Sequence, residues 1–324
     1  MDKQQRLLEV QDLHAYFRTG KGILKAVDGV SFGLDYGQAL GLVGESGCGK
    51  TTSALSIARM LPREGYIAGG SVRVEGIDYT KLSDKEIRAH RWKDVSIVFQ
   101  GAMNALNPVK TVGWQIAEAV RLHEGLSEKD AMVRAGDMLE LVEIPRDRLR
   151  RYPHEFSGGM KQRAMIAMAL ACNAKVVIGD EPTTALDVMI QAQILNLLER
   201  LRRELRMGLI LITHDLSILG ETCDHIAVMY AGKIVETGAV EDIFQHAAHP
   251  YTQKLISCFP DIHSRKDVPE GIPGYPPNLI DPPHGCRFHP RCPFTVSQCR
   301  EEEPQIRLLG NGHSAACHRL EEQI

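Results

Sequence analysis

An α/β fold built on a parallel sheet, followed by an irregular cysteine-rich tail, is what this sequence predicts, and three observations carry that reading. The buried-strand run Ala39-Leu-Gly-Leu-Val43 flows through a glycine-rich loop into the helix-compatible stretch TTSALSIARML. Strand signals recur at Val176-Val-Ile178, Leu209-Ile-Leu-Ile212 and His225-Ile-Ala-Val-Met-Tyr230, with an amphipathic Ile190-to-Glu204 helix between the first two, and such βαβ alternation implies a parallel sheet. Four of the eight cysteines, Cys286, Cys292, Cys299 and Cys317, crowd the end of the chain, while Cys48, Cys172, Cys223 and Cys258 are scattered before it.

Residues 7 to 36 alternate apolar and polar positions between glycine-containing turns, the pattern of short half-buried strands, and SVRVEGIDY at 71 to 79 reads as another strand. Ser83-Asp-Lys-Glu86 matches a capping box and opens a short helix. From about 103 to 172 the strand signals stop. Ser127 and Asp130 open a helical stretch, Pro145 and Pro153 punctuate the residues after it, and the segment reads as a helical insertion. Past about 260 the chain turns rich in proline and glycine, so a boundary is expected near 240 to 260.

Composition narrows the class. The 324 residues allow one large domain plus a smaller appendage. With 44% hydrophobic and 24% charged residues the chain is an ordinary globular one, which excludes disordered and fibrous classes. Lys and Arg number 38 against 41 Asp and Glu, for a charge of −3, so no broad electrostatic footprint for nucleic acid exists. No run approaches the roughly 20 apolar residues that span a bilayer, and the polar start MDKQQRLLEV lacks the apolar core of a secretion signal, so a cytosolic chain is expected. A reducing cytosol disfavours disulfides and makes metal or cluster ligation the sharper reading of the crowded cysteines.

The chemistry begins at Gly44, Glu45, Ser46, Gly47, Cys48, Gly49, Lys50 and Thr51, with Thr52 next, which fit the phosphate-loop pattern G-x-x-x-x-G-K-[ST] between a strand and a helix. Backbone N–H groups and the positive helix end would surround a β-phosphate, Lys50 would reach the β- and γ-phosphates, and Thr51 would ligate Mg²⁺. Downstream, the apolar strand at 176 ends in the adjacent carboxylates Asp180 and Glu181. Such a pair alone is more often a solvated strand end. Behind a phosphate loop it reads as Asp180 holding Mg²⁺ through water and Glu181 polarising the attacking water.

Ser157, Gly158 and Gly159 open the helix MKQRAMIAMALAC just before that strand, in the order Phe156-Ser-Gly-Gly-Met-Lys-Gln162-Arg163. This resembles the signature motif of the ABC-transporter ATPases, and a hydroxyl with glycine N–H groups at a helix start makes a second anion site. The methionines at 160, 165 and 168 are expected in core packing. Further motifs of that family stand in its order: Gln100 in IVFQ, Ala185-Leu-Asp187, and His214 after LILIT. The resemblance implies a P-loop ABC ATPase core, with a parallel sheet, an N-terminal antiparallel β part and the helical insertion. It implies a head-to-tail dimer holding two ATP, in which Gln100 senses Mg²⁺ and the attacking water and His214 contacts the γ-phosphate. Ser157, Gly158 and Gly159 would face the partner's nucleotide, and Asp187 would link the two sites. An aromatic near residue 17 stacks on adenine in that family. Phe17 fits the spacing best and Tyr16 stands next to it, with a core strand aromatic as the plainer reading of either.

Phe156 and Met160 replace the ends of the commonest signature, LSGGQ, and Met-Lys-Gln-Arg resembles the peptide-importer branch. So do Gln100-Gly-Ala-Met-Asn-Ala-Leu-Asn-Pro108, His249-Pro-Tyr251-Thr-Gln and Gly285-Cys-Arg-Phe-His-Pro-Arg-Cys-Pro293. The spacing C-x5-C-x6-C-x17-C lacks the C-x2-C pairs of structural zinc sites and suits an iron–sulfur cluster. The branch carries a [4Fe–4S] cluster on such a tail, which implies Cys286, Cys292, Cys299 and Cys317 as its ligands. Zinc and free thiols stay open as alternatives. His284, His289, His313 and His318 are expected as surface loop histidines, and Cys172, Cys223 and Cys258 as buried small apolar residues.

The expectation is therefore an ATP-hydrolysing subunit of a di- or oligopeptide importer, peripheral on the cytoplasmic face of the membrane. Its partners would be a second ATPase subunit, self or paralogue, two membrane permeases and, indirectly, an extracytoplasmic binding protein, with no nucleic acid. Residues 1–250 would form the ATPase domain, with the helical part at about 103–172, and 251–324 the extension. Nickel or oligosaccharide cargo, or a soluble ABC ATPase acting on ribosomes or DNA, are the rivals.

Overall fold

The computed structural model describes residues 6–101, 105–184, 186–258 and 271–320. The chain divides into two compact units. Ala102, Met103 and Asn104 of the importer-like motif after Gln100, and Ala185 of the motif before Asp187, lie outside the described residues.

One unit comprises Met1–Leu8, Leu34–Ala39 and Val74–Ile212. Its strands Val95–Val98, Val176–Asp180 and Gly208–Ile212 run parallel, with Val95 opposite Val176 and Val176 opposite Gly208. Every residue of the second and third is buried, as an apolar run covered on both faces requires. The helices Val112–Glu124, Glu128–Leu141 and Gly158–Leu170 fill the stretch in which strand signals stop. Their starts are written in the sequence: Thr111, Ser127 and Ser157 each accept a hydrogen bond from a backbone N–H of the first turn. Ser83 and Glu86 close the expected reciprocal capping box. Of the three methionines on the last helix, Met165 is buried and Met160 and Met168 are half-buried.

The other unit comprises Glu9–Gly33, Leu40–Arg73 and Thr213–Ile324. The strand Ala39–Val43 pairs parallel with His225–Tyr230, placing Leu40 opposite His225. Lys233–Ala239 continues antiparallel. The long strands Leu8–Thr19 and Gly22–Leu34 occupy the expected stretch, and Gly65–Val74 lies on the other side of the first.

The tail is more regular than its composition predicts. Arg307–Gly310 and His313–Ala315 pair antiparallel, and the latter extends the sheet with Ala315 opposite Glu236. The physical reason lies in Glu236, which is fully buried. Its carboxylate accepts from the backbone N–H groups of Ala248 (2.7 Å) and His249 (2.9 Å) and pairs with His313 Nε2 at 2.7 Å. A buried carboxylate demands such partners. His313 is therefore a buried sheet residue rather than the surface loop histidine expected. Cys172 is buried, whereas Cys223 and Cys258 are only half-buried, short of the expectation for them.

His249 caps the helix Pro250–Ser257 by accepting from Tyr251 N at 3.0 Å. Burial holds its pKa down at about 3, so it stays neutral in the fold and protonates first in the unfolded chain. Its contribution is complete above pH 6.5 and is lost as pH falls from there toward 3. Denaturant unfolding between pH 7 and 5 should show the wild type losing about 1.4 kcal/mol more per pH unit below 6.5 than His249→Asn, which keeps a capping oxygen and cannot titrate. Parallel profiles would refute this.

Candidate nucleotide site

The loop after Val43 is a backbone structure that admits no side chains at two positions. A Cβ at Gly44 (φ +153°) would stand 2.1 Å from the Met229 carbonyl oxygen, and one at Gly49 (φ +109°) 2.3 Å from that of Ala26. Only glycine fits, and only glycine adopts these angles without strain. The helix Lys50–Ile57 begins directly behind Gly49 with no acidic residue in its first turn, leaving its positive end for an anion. Lys50 is buried, and its ammonium donates to the carbonyls of Gly44 (2.6 Å) and Glu45 (3.1 Å). Thr51 faces solvent, and Thr52 is half-buried. Cys48 is buried with its pKa raised by desolvation, which makes it a packing residue.

Glu45 is held twice. Its N–H donates to the Tyr251 hydroxyl at 2.9 Å, and its carboxylate takes a two-pronged pair from Arg291, Nη1 to Oε2 at 2.6 Å and Nη2 to Oε1 at 3.0 Å. Arg291 also donates to the Pro273 carbonyl at 2.7 Å. Phe288, three residues before, is buried against Tyr230, Tyr251 and His249 with ring centroids 5.1, 5.4 and 5.8 Å away. In the sequence, Tyr251 and the arginines stand out only as parts of motifs. The available signal was the carboxylate at the second position of a phosphate loop, which calls for a cation.

Tyr16 and Phe17 are both half-buried neighbours on the strand Leu8–Thr19, and therefore face opposite sides. The Tyr16 hydroxyl donates to Asp28 at 2.6 Å and its ring meets Tyr66 edge-on. Burial and the Asp28 carboxylate push its pKa up. Asp28 is also within 2.9 Å of His14 Nδ1 and is paired with Arg287 of the tail. Desolvation works against its charge, yet the bonds from Tyr16 and His14 and the Arg287 guanidinium bring it down to about 2. Phe17 lies beside Gly65, where a Cβ would come within 2.8 Å of its ring. His214, on this same unit, is exposed just ahead of the helix Leu216–Thr222.

The other unit carries the carboxylates. Asp180, the last residue of its strand, is buried, and Glu181 turns out of the strand with φ +48° while its N–H donates to Ile212 O at 2.8 Å. Gln100 Nε2 donates to Glu181 Oε2 at 2.6 Å, and the Thr184 hydroxyl to the same oxygen at 2.9 Å. Two residues far apart in sequence and singled out for one chemistry thus stand in direct contact. Ser157 is exposed at the start of its helix with Gly158 and Gly159 behind it, and a Cβ on Gly159 would come within 2.8 Å of Ile190. Asp187 caps the helix Val188–Leu205 by accepting from Ile190 N at 3.0 Å.

Among the described residues, no three His, Cys, Asp or Glu side chains converge as a metal site. None of the four tail cysteines is paired in a disulfide. They are near enough to act on one another: desolvation raises Cys286 to about 12, with Cys299, Cys317 and Cys292 adding to it, and desolvation also raises Cys292 and Cys317. Four thiols in one segment are a donor set that suits a soft metal centre. Among the described residues, no helix is long and apolar enough to cross a membrane.

Comparison with known proteins agrees with this geometry. The ABC transporter family model matches residues 27–184, and the model of the oligopeptide/dipeptide transporter C-terminal region matches 235–299. A probable peptide ABC transporter ATP-binding protein of Sinorhizobium fredii is 47% identical over 99% of this chain and 97% of its own. The dipeptide transport ATP-binding protein DppD of Escherichia coli is 44% identical over 96% of each chain, and that of Bacillus subtilis 45% over 97% and 94%. Among solved structures, the dimeric post-hydrolysis state of the ATP-binding cassette MJ0796, bound to ADP and Pi, has a TM-score of 0.64 at 26% identity, covering 72% of this chain and 98% of that one. CbiO1 of Clostridium perfringens, part of the transporter complex cbiONQ, gives 0.63 at 26%, covering 75% and 92%. A phosphate loop of forced glycines, a glutamine-held carboxylate at a strand end and full-length likeness to such proteins have one meaning: this chain belongs to the ABC transporter ATP-binding proteins, in the group that carries the oligopeptide/dipeptide transporter C-terminal region.

Proposed function

We propose that the chain is the ATP-hydrolysing subunit of an importer for di- or oligopeptides, docked on permease subunits at the cytoplasmic face of the membrane. The observation that carries the cargo is the extent of the likeness. ABC ATPases of every cargo share the nucleotide motifs, but here the match to peptide-transport relatives also runs through the C-terminal region. We assign residues 1–250 to the ATPase domain, with its helical part at about 103–172, and 251–324 to the importer-type extension. Nickel or oligosaccharide cargo is the rival. A purified complex with its permeases and binding protein should show ATPase activity stimulated by short peptides and not by nickel or oligosaccharides, and the reverse pattern would replace the cargo.

In the proposed mechanism, Gly44 to Gly49 present backbone N–H groups to the phosphates of ATP. Lys50 exchanges its two carbonyl partners for β- and γ-phosphate oxygens. Thr51, Gln100 and Asp180 would hold Mg²⁺, which when bound would supply positive charge to the phosphoryl oxygens. Glu181 orients the attacking water and accepts its proton, with Gln100 and Thr184 fixing its carboxylate. His214 contacts the γ-phosphate. Ser157, Gly158 and Gly159 act on the nucleotide of a second ATPase subunit, and Asp187 links the two sites. We assign adenine stacking to Phe17, because the Tyr16 hydroxyl and ring are already engaged by Asp28 and Tyr66. Glu181→Gln should still bind ATP and dimerise, with hydrolysis reduced about 10²- to 10⁴-fold. Near-normal turnover in that variant would remove Glu181 from the base role.

We further infer that Cys286, Cys292, Cys299 and Cys317 hold a [4Fe–4S] cluster in the cell. What supports this is the donor set: four thiols stand in one segment, and burial, with neighbouring thiols adding to it, disfavours the charged forms of Cys286, Cys292 and Cys317, which a shared cation would relieve. Anaerobically purified protein should be brown, with about four iron and four sulfide per chain, and Cys299→Ser should lose them. Colourless protein with one zinc, or with four titratable thiols, would reject the cluster.

A further inference from the structure

The phosphate loop carries a carboxylate, Glu45, where it has to receive a triphosphate. We propose that Arg291, in the tail between the first two crowded cysteines, is a positioning residue for nucleotide binding: its guanidinium cancels the Glu45 charge and pins the loop, so the tail sets the affinity of the site for ATP. The inference rests on the nucleotide-site reading of residues 44–51.

Both oxygens of Glu45 are engaged by the two terminal nitrogens of Arg291, at 2.6 and 3.0 Å, the planar fork that lysine cannot reproduce. The Arg291 side chain is 5% exposed against 26% for Glu45, so the pair is shielded from solvent on the arginine side. Its other donors are committed to the carbonyls of Pro273 (2.7 Å) and Ile272 (3.3 Å) and the Tyr230 hydroxyl (3.3 Å), which leaves the guanidinium one position. The same loop residue is fixed through its backbone by Tyr251, and Phe288 seats the arginine's segment against Tyr230 and Tyr251. Lys50 cannot take over the task, because its ammonium faces the loop carbonyls and is reserved for phosphate. Without Arg291, a full negative charge would stand in the loop that binds an anion of charge near −4. Charges a few ångströms apart in a partly desolvated site interact strongly.

The test is Mg-ATP binding and steady-state hydrolysis by the full chain, the latter with its permease partners. Arg291→Gln should weaken ATP binding about tenfold, raise KM more than it lowers kcat, and make binding more sensitive to ionic strength. Adding Glu45→Gln to Arg291→Gln should restore most of the loss, because the charge that needed an answer is gone. Wild-type affinity in Arg291→Gln overturns the proposal. So does a double variant no better than the single one, since that outcome makes Arg291 a purely structural anchor. Should Arg291→Gln prove insoluble, Arg291→Lys with and without Glu45→Gln carries the same comparison, with smaller loss and the same rescue expected. A wild-type chain that binds no ATP overturns the nucleotide-site reading itself, and is told apart from the other results by the wild type alone.

Discussion

A chain that wraps its own backbone around an anion must leave out side chains where it folds back on its neighbours, and that constraint governs the site. At Gly44 and Gly49 the space a Cβ needs is taken by the carbonyl oxygens of Met229 and Ala26. Those carbonyls belong to the end of one strand and the body of another, in two different sheets, so the loop's shape is fixed by these neighbours and not by the loop alone. Gly232 N donating to Cys48 O at 2.8 Å ties the turn after Tyr230 to the same loop. An anion-binding surface held this way is formed before any ligand arrives, which lowers the cost of ordering it on binding.

What the sequence made legible was local. Capping residues, the buried strand runs and the glycine spacing each act within a few positions, and Ser83, Ser127 and Ser157 all stand where their helix starts are. The Asp180 strand and the amphipathic helix after it were readable for the same reason. The contact between Gln100 and Glu181 spans 81 positions and went unread: each residue was singled out separately for a role at the attacking water, and nothing in either segment's own chemistry names the other. The tail hairpin was missed because its strands are short and sparsely apolar: Arg307–Gly310 is largely exposed, and His313–Ala315 is held by a polar partner, Glu236, in place of a hydrophobic stripe. Tertiary pairing set those strands, where periodicity had nothing to say.

Long-range pairing hides the arginines in the same way. Arg287 and Arg291 lie four positions apart in a segment whose conspicuous residues are its cysteines, and their spacing alone gives no hint of two different targets. The structure sends Arg287 to Asp28, beside the Tyr16 hydroxyl, and Arg291 to Glu45 in the phosphate loop. With Phe288 buried between them, this short segment reaches both the strand of the candidate adenine aromatics and the loop for the phosphates.

An apolar anchor alone would have served stability as well as such pairs do, because taking two charges out of water offsets most of what their attraction returns. A paired Glu45 and Arg291 therefore makes little sense as glue. It makes sense as specificity: the carboxylate accepts only a partner that brings a planar, two-donor cation to a fixed point, and Tyr230, Pro273 and Ile272 allow the guanidinium only that point. Mispacking of the tail then has a consequence that a slipped hydrophobic contact would lack, since it leaves an unanswered negative charge at the place where phosphate has to bind. The loop and the tail are in this way made to fold correctly together, and the nucleotide reads whether they have.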